Sequence, residues 1–360
     1  MSKKKHLNIC YSSEMHERYV LRVPNLTKHA RSISWGPCEH GLPSYYAKRT
    51  KRFHRCFFGC DRPIGTYQAK MNVGGIVKRA FPESRIVSIY RIPKGSVNHT
   101  YDITISKPDK QLILRLFPQD GWKAEKDRFI YNLIAKKTDV KVPEVYALRA
   151  SRPAYSLLSK IPGSELGHSA SKPIKEAGAI LAKIHSIKFP KFGWIIGSTI
   201  KPSFGSWLEF SIYDFNHKIR NLRMKVSKKL LQEAQMYFKE HQSLLDIRTK
   251  PCLIHKDFHN SHILVDHGRV SGVIDVEWAM SGHNELDLAK SLWWMFSGNS
   301  RMEAIFMSGY LQHGRVSADF QERRKLYELM IALSSCLFSY EQRNFKWLSH
   351  NLKKVRSIVT

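Results

Sequence analysis

The chain has 360 residues, 42% of them hydrophobic, and a formal net charge of +29 from 59 basic and 30 acidic side chains. That length can bury a sizeable core, in one large two-lobed domain or in two domains, and no run of 18 or more apolar residues offers a membrane-spanning helix. Six scattered cysteines are too few for a disulfide framework, and the opening MSKKKHLNIC lacks the apolar segment of a secretory signal, so reduced thiols in a cytoplasm are expected.

A charge this large favours anions, whether nucleotide phosphates, nucleic acid or acidic membrane surfaces. Residues 1–70 hold 14 of the basic and 4 of the acidic side chains, so most of the excess lies beyond them. This first stretch lacks helical or strand periodicity and contains the basic run Lys48 to Arg55. Cys38, His40, His54, Cys56 and Cys60 are residue types that ligate zinc, but their spacing matches no structural zinc pattern. A poorly ordered basic extension is expected here, or a natural start at Met71. No module interleaves aromatic platforms with the basic run, which argues against nucleic acid as partner.

From Ser84 the pattern changes. Residues 86–92, 97–105 and 112–117 alternate like strands, joined by turns at Pro93-Lys94-Gly95-Ser96 and Pro108-Asp109-Lys110, which predicts an antiparallel meander. Residues 122–136 carry a helical apolar stripe, and 142–148 and 155–158 return to strand character. Pro162-Gly163 reads as a hinge. Helices follow at 173–187, 207–219 and 227–245, then short apolar runs at 263–265 and 270–274 around the turn Asp266-His267-Gly268. Helices resume at 285–296 and continue to the end. A strand-rich N-lobe (71–160) before a mainly helical C-lobe (161–360) is an α+β arrangement.

The segment Ile254 to Glu277, IHKDFHNSHILVDHGRVSGVIDVE, carries the chemistry. Asp257 lies in a loop after a short strand, placed to orient a hydroxyl nucleophile. His255 is expected to pack and hold that loop. Asp275 ends the apolar run Val273-Ile274, where a carboxylate needs a cation, and Mg²⁺ is the usual one beside phosphates. His262 lies where it can reach the same ion. Glu277 is a candidate for a second ion, or else an exposed loop residue. Upstream, the Gly95-Ser96-Val97-Asn98 turn lets backbone amides approach phosphates. Arg115, a cation in an apolar strand, needs a partner, and Glu125 on the next helix is the expected one.

In that order and spacing, the chain from about 86 to 310 resembles the aminoglycoside phosphotransferase and choline kinase-like family, small-molecule kinases with a protein-kinase-like fold. The family's His-x-Asp-x-x-x-x-Asn loop matches His255-Lys256-Asp257, with His262 where Asn is usual. Its metal-binding Asp matches Asp275 in Ile274-Asp275-Val276-Glu277, and the Asp-Leu-Ala that braces the loop matches Asp287-Leu288-Ala289. The nucleotide-binding turn, strand cation and helix Glu match Gly95 to Asn98, Arg115 and Glu125. The resemblance implies a kinase that uses ATP or GTP with Mg²⁺ to phosphorylate a hydroxyl of a small molecule, a metabolite or an antibiotic. Its alternative is a nucleotide-binding pseudokinase, since His262 departs from the pattern. Imidazole ligates divalent ions, although Mg²⁺ prefers oxygen, and protonation below about pH 6.5 weakens such a ligand. Residues 201–250 hold 10 Lys/Arg against 5 Asp/Glu, which favours a neutral or anionic acceptor over a polycationic one.

Overall fold

The structure, a computed structural model, describes residues 72–93, 98–118 and 120–360. Gly95, Ser96 and everything expected of residues 1–70, including the cysteine and histidine cluster, lie outside the described residues. The predicted meander is part of a five-stranded antiparallel sheet. Its strands are β1 (Arg85–Ile92), β2 (His99–Ser106), β3 (Lys110–Phe117), β4 (Val145–Arg149) and β5 (Ala154–Ser159), in the order β1-β2-β3-β5-β4.

The two-residue period of β3 decides where its side chains go. Leu112, Leu114 and Leu116 pack with Ile76 and Val77 of helix α1 (Val73–Ala80), which the sequence reading left unassigned. Ile113 and Phe117 turn the other way, towards the core containing Ile130, Tyr131 and Ala124 of helix α2 (Trp122–Lys137). Arg115 shares that second face and is thereby aimed at α2, in a place where an ammonium or guanidinium must find carboxylates.

Beyond β5 the chain is mainly helical: α3 (Ser171–His185), α4 (Trp207–Leu222), α5 (Lys228–His241), α6 (Asn284–Phe296), α7 (Ser300–Tyr310), α8 (Phe320–Glu341) and α9 (Phe345–Val359). The helix expected over 227–245 stops at His241, and Gln242–Leu245 tightens into a 3₁₀ turn. Ser206 and Glu209 form a reciprocal capping box at the start of α4, satisfying two of its free N–H groups. Trp207, Phe210, Phe215, Leu231, Phe238, Tyr327 and Met330 build the core among α4, α5 and α8.

Short strands thread this helical region and carry the loops of interest. β6 (Ser164–Glu165), β10 (Ile263–Asp266) and β11 (Arg269–Val273) form one small sheet. β7 (Phe192–Ile196), β8 (Thr199–Phe204), β9 (Cys252–Ile254) and β12 (Met280–Gly282) form another, ordered β8-β7-β12-β9. The β7–β8 hairpin and β12 were not expected. At the expected hinge, Gly163 has φ +111°, and a Cβ there would come within 2.4 Å of the Val265 carbonyl oxygen. Only glycine suits that close approach. The result is the expected α+β architecture, an antiparallel sheet followed by a mainly helical region. Among the described residues no helix is long and apolar enough to cross a membrane, and Cys252 and Cys336 are buried free thiols.

Candidate active site

β9 runs directly into residues 255–262, and the β10–β11 hairpin returns the chain to Asp275. The two loops are tied by Ile274 N–H donating to the His262 carbonyl at 3.0 Å. Asp287, in the first turn of α6, is fully buried and organises the first loop. Its carboxylate accepts the N–H groups of His255 (2.6 Å) and Lys256 (2.8 Å) and the His185 Nε2–H (3.2 Å). Lys256 and Asp275 both adopt left-handed backbone, each with φ 62°, a conformation that costs a non-glycine residue about 1–2 kcal/mol. The first is held by Asp287, the second by Asp275 N–H donating to Tyr131 Oη at 3.0 Å. His255 donates Nε2–H to the Ile274 carbonyl at 3.1 Å. Burial pushes its pKa down to about 4, so it sits neutral between the loops as a structural link.

Asp257 is ringed by donors. Lys290 Nζ lies 2.7 Å from Oδ1, while His262 Nδ1 and His259 Nε2 lie 3.4 and 3.7 Å from Oδ2. Burial works to raise the Asp257 pKa, but Lys290 and the two imidazoles outweigh it and hold the carboxyl well below its usual range. It is therefore ionised and a weak base, suited to orienting a hydroxyl. Lys290 was missed by sequence reasoning although its position is readable: it follows Asp287 by three residues, hence on the same face of α6.

The proton on His262 can be assigned from its neighbours. Nδ1 lies 2.9 Å from the Asp257 carbonyl oxygen, which can only accept, so Nδ1 carries the proton. In the neutral ring Nε2 is then the acceptor nitrogen, and it lies 3.6 Å from Asp275 Oδ2. Two acceptors converging in this way suit a shared cation, and the backbone carbonyl that fixes the ring is the usual outer support of a ligating histidine. Asp275 is also held ionised: burial opposes this, and the Arg115 guanidinium beside it outweighs burial. One imidazole and one carboxylate are donors of the kind that would suit Mg²⁺ or Mn²⁺ beside phosphates.

Around Arg115 the structure corrects two expectations. Its partner is Asp127, not Glu125. Nη1 donates to both Asp127 oxygens at 3.0 and 3.1 Å, and Nη2 donates to Asp275 Oδ1 (3.0 Å) and Glu277 Oε2 (3.1 Å). Glu125 is exposed and lies near Gly197. The helical phase explains this: Asp127 precedes Ile130 and Tyr131 by three and four residues and shares their buried face, whereas Glu125 does not. Burial pushes Asp127 up to about 6 in spite of Arg115, with Asp275 and Glu277 acting in the same upward direction.

Glu277 is neither exposed nor available for a second ion. It is buried; Oε2 accepts from Arg115 and from Asn98 Nδ2, and Oε1 pairs with Lys123 at 2.6 Å. Its backbone carbonyl accepts from Lys126 Nζ at 2.7 Å. Glu277 thus ties Asn98, at the end of the turn before β2, to Arg115 and α2. The structure brings together Asn98, Arg115, Asp257, His262, Asp275, His255 and Asp287, and leaves Glu125 aside.

Comparison with known proteins completes the picture. A profile of the phosphotransferase enzyme family (APH) matches residues 88–328. The fold is similar to that of aminoglycoside phosphotransferase APH(4)-Ia, at 19% identity and a TM-score of 0.65, covering 80% of this chain and 97% of that one. A thermostable mutant of the same enzyme, in ternary complex with AMP-PNP and hygromycin B, matches at 18% identity and 0.66, covering 81% and 98%. A putative fructosamine-3-kinase from Thermobifida fusca matches at 18% and 0.62, covering 79% and 99%. No curated protein sequence matches the chain. With two thirds of its length matched by that profile, the chain belongs to the phosphotransferase enzyme family.

Proposed function

We propose that this phosphotransferase transfers the γ-phosphoryl group of ATP or GTP, with Mg²⁺, to a hydroxyl of a small molecule, a metabolite or an antibiotic. The observation that carries the reading is the convergence of Asp257, the His262 Nε2 lone pair and Asp275, with Arg115 behind them. The AMP-PNP and hygromycin B held by a protein of similar fold support a nucleotide and a small hydroxylated acceptor as the two substrates.

In this reading His262 and Asp275 would hold the metal ion, which would supply neutralisation of charge on the phosphates. Arg115 fixes Asp275 and Glu277, and Glu277 positions Asn98 next to the Gly95-Ser96 turn, to which phosphate contacts are assigned on sequence grounds. Asp257 accepts a hydrogen bond from the acceptor hydroxyl and aims its oxygen at the γ-phosphorus. The new P–O bond forms as the bond to the nucleoside diphosphate breaks, and the hydroxyl proton leaves late, through Asp257 to solvent. Asp287 and His255 hold the loop in place throughout.

The test is formation of nucleoside diphosphate across a panel of hydroxylated metabolites and antibiotics, with the phosphorylated product identified by mass. Acceptor-dependent turnover requiring a divalent ion is the expected result. Nucleotide binding with no turnover for any acceptor would replace the kinase with a pseudokinase.

A further inference from the structure

Lys256 sits between His255 and Asp257 in the candidate catalytic loop, and the surrounding charge leaves it uncompensated. Its backbone is pinned in the left-handed region by Asp287, so the side chain has a fixed point of departure. The ammonium rests 3.6 Å from the centre of the Trp194 ring on β7. Among the described residues no carboxylate forms an ion pair with it. The acidic group nearest in influence is Asp214 of α4, which is buried and already paired with Lys218 one turn along the helix. Asp257 is likewise taken by Lys290, whose ammonium also donates to the Lys256 carbonyl at 2.6 Å. The charged groups acting most on Lys256 come from α4 (Asp214, Lys218), α6 (Lys290) and α2 (Lys126, which burial pushes down to about 7), and lysines outnumber carboxylates among them.

Burial and these cations hold the Lys256 pKa well below the lysine range, so an arriving anion would relieve an unfavourable arrangement and an arriving cation would worsen it. Polycationic acceptors need the opposite lining, several free carboxylates, and both acidic groups near this position are already engaged by lysines.

We propose that the acceptor carries an anionic group, a phosphate or a carboxylate, beside the hydroxyl that receives the phosphoryl group, and that Lys256 on the Trp194 ring binds it. This rests on the kinase reading above. It adds a class of substrate, small hydroxylated acids or phosphorylated polyols and sugars, and a residue that selects it.

The experiment uses the full chain and matched acceptors: glycerol against glycerate and glycerol 3-phosphate, ribose against ribose 5-phosphate, and hygromycin B as the polycationic member. Turnover should favour an anionic member over its neutral partner by about tenfold or more in kcat/KM, the size of one charged hydrogen bond. Comparing the glycerate and phosphate arms tells which anion is preferred. Lys256→Met should raise the KM for that acceptor about tenfold and leave the KM for nucleotide within about twofold, while Lys256→Arg, which keeps the charge, should restore most of the loss. Thermal melts of both variants separate loss of contact from loss of fold. Preference for the neutral or polycationic acceptor overturns the inference and leaves the kinase standing, as does a Lys256→Met effect confined to the nucleotide KM. If no acceptor of any charge stimulates nucleoside diphosphate release, the kinase reading fails and this inference fails with it.

Discussion

At the scale of single residues, His262 departs most from the kinase pattern and is the most informative position. With Nδ1–H on the Asp257 carbonyl, the ring offers Nε2 to a cation shared with Asp275. Imidazole suits Mn²⁺ better than Mg²⁺ relative to an amide oxygen. His262→Asn should therefore lower the ratio of Mn²⁺- to Mg²⁺-supported kcat/KM. An unchanged metal ratio would remove His262 from the metal. The residue was conspicuous in the sequence, yet the tautomer that makes it a ligand depends on a carbonyl five residues away and appears only in the folded loop. Glu277 shows the converse: its type and position suggested an ion, and two cations and an amide had already claimed its carboxylate.

At the scale of elements, β3, α2 and the segment after β11 meet through one guanidinium and three carboxylates. Removing the guanidinium leaves Asp127, Asp275 and Glu277 crowded without their shared partner, so Arg115→Met should destabilise by about 3–5 kcal/mol in denaturant unfolding. Glu125→Ala, on the exposed face, should change stability by less than about 0.5 kcal/mol and leave the nucleotide KM within about twofold. If the two variants behaved alike, or Glu125→Ala weakened nucleotide binding tenfold, the assignment of Asp127 as the partner would be wrong. The strands, the helix and the need for a carboxylate were readable from periodicity and from a cation inside an apolar strand. Choosing Asp127 over Glu125 needed the phase of α2 relative to Ile130 and Tyr131, a three-residue argument that the family pattern obscured. The β7–β8 hairpin and β12 were hidden for another reason: strands of three to six residues are too short for a two-residue period to show.

At the scale of the whole molecule, buried neutral histidines link folding to acidity. Burial holds His255 down to about 4 and, with Arg323, His283 down to about 3, both beneath the ordinary imidazole value. A folded pKa below the unfolded one means that the unfolded chain takes up more protons, so stability present above about pH 6.5 is lost as pH falls towards 4. The melting temperature should fall steadily over that window, and His283→Gln should flatten the fall. A melting temperature independent of pH between 6.5 and 4 would contradict it. The overall α+β arrangement and the order of the motifs were legible because each motif ends or begins an apolar segment. The convergence of Asp257, His262 and Asp275 was less so, since it is made by pairing β10 with β11 and by Asp287 reaching across from α6. The most direct measurement of the central reading compares the wild type with Asp257→Ala, following acceptor-stimulated nucleoside diphosphate release and nucleotide affinity by calorimetry on the same samples. The expected result is turnover in the wild type and none above background in the variant, with nucleotide affinity within about threefold, since Asp257 acts on the acceptor and not on the phosphates. Sustained phosphorylation by Asp257→Ala would contradict the proposed mechanism.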